Sequence, residues 1–139
     1  MDSKAVMQRF IDEVINGKNL DLIDELLSDD FVEHEEVPGL AQGREGVKQF
    51  FAMFQAAVPD LHFEVEHLVG DADVVVAHSV ATGTHSGADF MDVPASGKSV
   101  EFTVIDLVRF EDGIGVEHWG VADMATMLQQ LGVIPPPPR

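Results

Sequence analysis

The hydrophobic pattern of this chain changes its period at Leu61, and that change limits the folds that the chain can adopt. Before Leu61, apolar residues recur every three or four positions in three separate stretches, which is typical of amphipathic helices. From Leu61 to about Val121, they alternate with polar residues or form runs rich in β-branched residues, which is typical of strands. Helices followed by strands predict an α+β domain rather than a parallel sheet with alternating helices.

The first predicted helix begins near Ser3, the second at Asn19 or Asp21, and the third near Arg44. A brief strand, residues 31–36, separates the second helix from the third. Four longer antiparallel strands follow. The Asp-Gly pair at residues 112–113 joins the last two strands in a tight hairpin, because both residues tolerate positive φ. We expect a curved, mainly antiparallel sheet that wraps over the three N-terminal helices and leaves a cone-shaped cavity between sheet and helices.

The length of 139 residues suits one domain with a single core. We expect residues 1–134 to form this domain and residues 135–139 to be a proline-rich tail. The net charge of −17, from 25 acidic and 8 basic residues, opposes binding to nucleic acid and to anionic membranes. Because no apolar run approaches ~20 residues and the start does not resemble a signal peptide, we expect a cytoplasmic protein.

The predicted last strand carries the residues that most suggest a functional site. Side chains alternate along a strand, so Glu117 and Trp119 point one way and His118 the other; Asp123 joins Trp119 if the strand continues that far. A carboxylate beside a large apolar ring is poorly solvated, which raises its pKa and suits it to proton transfer near neutral pH. Alternatively, Asp123 caps the helix predicted from Met124, and the two roles are compatible.

Pairing across the predicted hairpin extends this face to the preceding strand. If Glu111 lies opposite Ile114, then Asp106 lies opposite Trp119 and shares a face with it. A buried aspartate requires a partner or a polar pocket, so this face is either a pocket or a solvated side of the sheet. His118, on the other face, is then expected at the surface or at an interface.

The remaining motifs exclude several kinds of chemistry. The spacing of His62 from His67 and of His78 from His85 places each pair on opposite strand faces, so we expect no bound metal. The chain has no cysteine, no nucleophile motif of hydrolases and no glycine-rich phosphate loop. His34, on the brief strand, is a candidate pocket residue. Carboxylate and imidazole acid–base chemistry without a cofactor remains.

Seven segments carry a resemblance to a known family. In their order and spacing, the chain resembles the SnoaL-like polyketide cyclases, also called ester cyclases, within the superfamily named after nuclear transport factor 2. The segments are LIDELLSDDFVEHE, GREGVKQFF, VPDLHFEVE, GTHSG, VPASGK, RFEDGIGVEHWGVAD and MLQQLG.

This resemblance implies a cone-like barrel, usually a homodimer through its sheet, with an apolar pocket for a hydrophobic small molecule. In such cyclases a pocket aspartate acts as general acid and base in the intramolecular aldol closure of an aromatic polyketide ester. The aspartate of the HWxxxD motif falls on Asp123, which would be the catalytic residue. The substrate-binding candidates are His34, His85, Asp106, Glu117 and Trp119.

Three other functions stay open. The first is hydrolysis of an epoxide, which requires a network of two aspartates and an arginine; Arg109 faces away from Asp106 by strand alternation. The second is isomerisation of the ketosteroid-isomerase type. The third is a dimeric module that binds a small ligand without catalysis, in which Asp123 only caps a helix.

Overall fold

A computed structural model describes residues 2–35 and 37–135, and it confirms the predicted α+β class. No helix in these ranges is both long enough and apolar enough to cross a membrane. The helices are α1 (Ser3–Arg9), which continues as a π-helix (Phe10–Asn16), a 3-10 turn (Leu20–Leu22) leading into α2 (Ile23–Leu26), α3 (Gly43–Ala57) and α4 (Met124–Gln130). The strands are β1 (Leu27–Glu33), β2 (His62–Gly70), β3 (Val74–Thr84), β4 (Ser99–Glu111) and β5 (Ile114–Ala122).

The five strands of the described residues form one curved, unclosed sheet in the order β1-β5-β4-β3-β2. All neighbours are antiparallel except β1, which runs parallel to β5. The brief strand was predicted at residues 31–36, whereas β1 begins earlier, at Leu27. Most of the predicted tail, residues 136–139, lies outside the described residues.

Two amide side chains fix the N-terminal helix against the sheet and α3. The side chain of Asn16 accepts a hydrogen bond from the Phe63 backbone N–H and donates one to the Phe63 carbonyl. Gln55 of α3 donates to the carbonyls of Val14 and Ile15, where the π-helix leaves backbone groups without helical partners. The helix is therefore fixed across the inner face of the sheet.

The hairpin between β4 and β5 forms where it was predicted, with positive φ at both Asp112 (51°) and Gly113 (77°). Glu111 pairs with Ile114, as expected, and Phe110 with Gly115, but the next pair is Arg109 with Glu117. Val116 is thus an extra residue, a β-bulge, on β5.

The bulge shifts all later pairs by one residue. Asp106 therefore pairs with Gly120, and Leu107, not Asp106, pairs with Trp119. Because a shift of one residue exchanges the two faces of a strand, the predicted grouping of Asp106 with Trp119 is wrong. Asp106 shares the inner face of the sheet with His118 instead.

The core lies between this inner face and the helices and is rich in aromatic rings. Phe54 of α3 stacks on Phe90, with ring centroids 4.9 Å apart, and lies beside Phe102 of β4, with centroids 6.3 Å apart. All three side chains are buried. Stacked aromatic pairs add to the free energy gained by burial.

We expect Phe54→Ala to lower the free energy of unfolding by about 3 kcal/mol, because it removes a buried ring and its two aromatic contacts. Urea denaturation followed by circular dichroism measures the loss. Phe54→Leu, the matched control, keeps most of the apolar volume and is expected to lose about 1.5 kcal/mol. Equal stabilities of Phe54→Ala and the wild type would show that the cluster does not support the core.

Candidate active site

A cavity of about 560 Å³ lies between the inner face of the sheet and the helices. All nine phenylalanines of the chain line it, and aliphatic side chains from α1, α3, β4 and the segment 37–43 complete the wall. The phenylalanines are Phe10, Phe31, Phe50, Phe51, Phe54, Phe63, Phe90, Phe102 and Phe110. Such a wall suits an apolar molecule with flat rings, since aromatic faces stack on one another.

Four ionisable side chains, Glu33, Glu35, Asp106 and His118, also line the cavity. His118 is at the centre of this acidic cluster. Its Nδ1 lies 2.5 Å from Oε1 of Glu33, and its Nε2 lies 2.7 Å from Oδ1 of Asp106. Since carboxylates accept from both ring nitrogens, the arrangement favours the doubly protonated imidazolium form.

The protonation of His118 follows from a balance of burial and hydrogen bonding. The side chain is 14% exposed, and burial alone would lower its pKa. The hydrogen bonds that His118 donates to Asp106 and Glu33, together with the negative charges of these carboxylates, outweigh that effect and raise the pKa of His118 to about 10. His118 is thus a fixed cation at neutral pH rather than a base.

Three strands bring this cluster together. Glu33 is the last residue of β1, and the parallel pairing of β1 with β5 places it beside His118. Asp106 comes from β4, opposite Gly120. A Cβ atom at Gly120 would lie 2.7 Å from Cε1 of His118 and 2.8 Å from Oδ1 of Asp106. The glycine therefore leaves the space that the His118–Asp106 ion pair occupies.

Glu35 follows β1 at the edge of the cavity. One of its carboxylate oxygens, one of Asp106 and one ring nitrogen of His118 all lie within 4.8 Å of one another. Loss of solvation around its carboxyl group, reinforced by the charge of Asp106, raises the pKa of Glu35 to about 7. Although the residue as a whole is exposed, its carboxyl group faces the ionisable end of the cavity.

Among the described residues, Glu35, Asp106 and His118 form a group that could bind a divalent cation, since each offers one ligand atom. Glu33 would then orient the histidine, as carboxylates often do behind metal-ligating imidazoles. A cation would have to displace the proton on Nε2 of His118, which the raised pKa of this histidine opposes. The arrangement therefore suits proton chemistry better than metal binding.

Three of the predicted site residues meet on the outer face of the sheet, not in the cavity. The rings of His34 and Trp119 stack with centroids 4.6 Å apart, and Nε2 of His34 lies 2.6 Å from Oε2 of Glu117. Hydrogen bonds from His34 and then Arg109 lower the pKa of Glu117. None of the three lines the cavity, so their predicted placement in a pocket is wrong. The bulge at Val116 is the physical reason for Glu117 and Trp119, because it exchanges the faces of β5. His34 directly follows Glu33, which faces the cavity, and it lies on the opposite face.

Asp123 caps α4, as one of the two predicted roles requires. Its Oδ1 accepts from the Thr126 backbone N–H at 3.1 Å and its Oδ2 from the Thr126 hydroxyl at 2.6 Å. These bonds lower the pKa of Asp123, and the residue is exposed and outside the cavity. The predicted placement of its carboxyl group in the cavity is wrong, because β5 ends at Ala122 and the chain turns into the cap.

His85 is fully buried, with Nε2 3.0 Å from the Ala88 carbonyl, but it does not line the cavity either. Asp106 is the one predicted site residue that does. The sequence reasoning missed Glu33, Glu35 and His118 as cavity residues. A signal for Glu33 existed, since it shares a strand face with the apolar Phe31, and Phe31 faces the core.

Comparisons with known proteins agree with this geometry. Residues 5–131 match the family described as SnoaL-like polyketide cyclase. IdmH from Streptomyces antibioticus, described as a candidate polyketide cyclase, is 35% identical, with a TM-score of 0.80 over 94% of this chain and 99% of IdmH. AclR from Streptomyces galilaeus, described as a candidate hydroxylase, is 29% identical, with a TM-score of 0.84 over 99% of this chain and 85% of AclR. No curated protein sequence matched the chain.

A curved sheet over helices, with an apolar cavity between them, places the chain in the fold class of nuclear transport factor 2. The match over residues 5–131 shows more: the chain belongs to the SnoaL-like polyketide cyclase family. Membership in this family supports an enzyme of the cyclase type and a small molecule as its substrate.

The raised pKa of His118 makes the stability of the protein depend on pH. Its contribution is fully present below pH 6.5, the ordinary value, and is lost as the pH rises through about 10. The stability difference between wild type and His118→Gln should therefore shrink between these pH values, by up to about 1.4 kcal/mol per pH unit. Urea denaturation at several pH values measures it. His62→Gln, which replaces an exposed histidine, is the control. A stability difference between wild type and His118→Gln that is the same at every pH would show that His118 does not have a raised pKa.

Gly120→Ala is expected to push the His118 ring and the Asp106 carboxylate apart. Loss of this charge-assisted hydrogen bond should lower the pKa of His118 and cost about 1–3 kcal/mol of stability. NMR titration of the His118 ring measures the pKa. Val121→Ala, the next position on the opposite face, should leave it unchanged; an unaltered His118 pKa in Gly120→Ala would show that the glycine is not needed for the pair.

Proposed function

We propose that this protein is a cofactor-independent cyclase that acts on an apolar, carbonyl-bearing small molecule by proton transfer. The observation that supports this most strongly is the Glu33–His118–Asp106 chain of hydrogen bonds in a cavity walled by phenylalanines. The apolar wall would bind and orient the ring system, and the acidic cluster would meet its polar end. The polyketide cyclase description of IdmH supports an intramolecular aldol closure.

Asp106 is the proposed general base. One of its oxygens accepts from His118, and the other can accept a proton from the carbon next to a substrate carbonyl. The resulting enolate carbon attacks a second carbonyl of the same molecule, which forms the new carbon–carbon bond. The His118 imidazolium, 2.7 Å from Asp106, stabilises the negative charge that develops on the enolate. Protonation of the new alkoxide completes an isomerisation in which no atom is gained or lost.

Glu33 is a positioning residue in this proposal. Its Oε1 accepts from Nδ1 of His118, which fixes the ring so that Nε2 faces Asp106. Because both ring nitrogens are bonded to carboxylates, the imidazole ring has a single orientation. The positive charge is thereby in place before substrate binds, so no reorganisation is needed during the reaction.

The epoxide hydrolase alternative receives less support. Arg109 donates to Glu117 and Glu111 on the outer face of the sheet, away from Asp106 and the cavity. The network of two aspartates and an arginine that this reaction requires is therefore not formed around Arg109. The isomerase alternative shares the first step of our proposal, abstraction of a proton beside a carbonyl.

We further propose a homodimer that pairs through the outer face of the sheet. Ile105, Trp119 and Val121 on this face are 47%, 40% and 72% exposed, which is unusual for large apolar side chains on neighbouring strands. In such a dimer, the His34–Trp119–Glu117 group would lie at the interface rather than bind substrate.

The general base is tested with 2-acetylnaphthalene, an apolar aryl ketone, by following hydrogen–deuterium exchange of its methyl group in D2O. Asp106→Asn should slow enzyme-dependent exchange by about 100-fold or more, since general-base catalysis contributes about that much. Asp123→Asn is the matched control, because asparagine also caps a helix, and it should stay within about twofold of wild type. Full exchange by Asp106→Asn would refute the assignment; a large loss in Asp123→Asn would restore Asp123 as the catalyst.

A further inference from the structure

We propose that Glu35 is a second catalytic residue, whose neutral carboxyl group gives its proton to the carbonyl oxygen of the substrate while Asp106 removes the proton from carbon. This inference rests on the proposed function. It concerns the half of the reaction that the Glu33–His118–Asp106 chain does not perform.

A reaction through an enolate needs a donor at the carbonyl oxygen as well as a base at carbon. Both ring nitrogens of His118 already donate, to Glu33 and to Asp106. The carboxylates of Glu33 and Asp106 accept these bonds. Among the ionisable side chains that line the cavity in the described residues, Glu35 is the one outside this chain of bonds.

The position of Glu35 suits this role. Its carboxylate oxygen lies within 4.8 Å of an oxygen of Asp106 and of a ring nitrogen of His118. A substrate oxygen that lies to one side of the line between these two carboxylates can be about 2.5–3 Å from Glu35, which is hydrogen-bond distance. A ketone held in this way would direct the carbon next to its carbonyl toward Asp106.

The backbone of Glu35 is held by the same cluster. Its N–H donates to Oε1 of Glu33 at 2.9 Å, and this oxygen also accepts from Nδ1 of His118. The backbone N–H of His34 donates to the carbonyl of His118 at 3.0 Å, which extends the contact between β1 and β5 to the residue before Glu35. Glu33 thus orients both the cation and the segment that carries the proposed acid.

The charges around Glu35 favour its neutral form. The charged groups that act on it are Asp106 of β4, His118 of β5 and Glu33 of β1, so two negative charges face it for one positive charge. Loss of solvation is the largest cause of the shift, and with the charges of Asp106 and Glu33 it outweighs the effect of His118 and raises the pKa of Glu35 to about 7. A carboxylic acid that keeps its proton near neutral pH can donate to an oxygen that becomes negative.

The proton balance closes within the site. Glu35 gives its proton to the carbonyl oxygen as Asp106 takes one from carbon, which turns the bound ketone into its enol. Attack of the enol carbon on the second carbonyl forms the carbon–carbon bond. The enol hydroxyl returns its proton to Glu35, and Asp106 delivers its proton to the new alkoxide. The cycle needs no oxidant, reductant or second substrate.

The test follows methyl exchange of 2-acetylnaphthalene between pH 5 and pH 9 for wild type and Glu35→Gln. Wild-type exchange should fall as the pH rises through about 7, because Glu35 loses its proton. Glu35→Gln should be about 10- to 100-fold slower at pH 5.5, lack this fall, and converge with wild type above pH 8. A merely structural role would lower the rate equally at every pH.

Two further variants complete the design. Glu35→Asp keeps an acid and should retain the fall in rate near pH 7. Asp30→Asn removes an exposed carboxylate of β1, outside the cavity, and should match wild type throughout.

Two results separate the failure of this inference from that of the proposed function. If Asp106→Asn loses exchange but Glu35→Gln keeps the wild-type rate and pH profile, Glu35 is not the acid and the function stands. If Asp106→Asn retains exchange, the proposed function itself fails. A wild-type rate that requires added Mg²⁺ or Zn²⁺ and is abolished by EDTA would assign Glu35 to metal binding and overturn its role as acid.

Discussion

The ion pairs of His118 with Glu33 and Asp106 join three strands at one point in the cavity wall. Taking an imidazolium and two carboxylates out of water is unfavourable unless each finds partners, and here each charged group satisfies another. The pairs depend on two features of the sheet. The parallel addition of β1 brings Glu33 beside β5, and Gly120 leaves room for the ring between the strands.

The phenylalanines strengthen the electrostatic interactions of this charged cluster. Nine aromatic rings surround a space of about 560 Å³, so electrostatic interactions there are weakly screened. A histidine that is cationic at neutral pH, the proposed base and a carboxyl group with a pKa of about 7 then lie within a few ångströms of one another. Two glutamates two positions apart, Glu33 and Glu35, differ in role because only the first bonds to the imidazolium.

Much of the fold was predictable from local patterns. The change of period at Leu61, the Asp-Gly turn at 112–113 and the cap at Asp123 each depend on neighbouring residues, and the structure confirms them. Strand alternation alone also indicates that Glu33 shares a face with Phe31.

The bulge at Val116 was not predictable from the same information. Two residues of β5 oppose one of β4 there, and the sequence around Val116 alternates as a regular strand would. Because of this one extra residue, His118 faces the cavity and not the expected surface, and Trp119 and Glu117 face away from the cavity. Acid–base chemistry by carboxylates and an imidazole was a sound expectation, whereas the choice of side chains depended on the register.

We propose that substrate meets the acidic cluster inside the aromatic cavity, not the His34–Trp119 group on the outer face. A crystal structure of the protein with bound 2-acetylnaphthalene distinguishes these two places. We expect the naphthalene rings among the phenylalanines, with the carbonyl oxygen within hydrogen-bond distance of Glu35 and the methyl carbon facing Asp106. A ligand stacked against Trp119, with the cavity empty, would contradict this proposal.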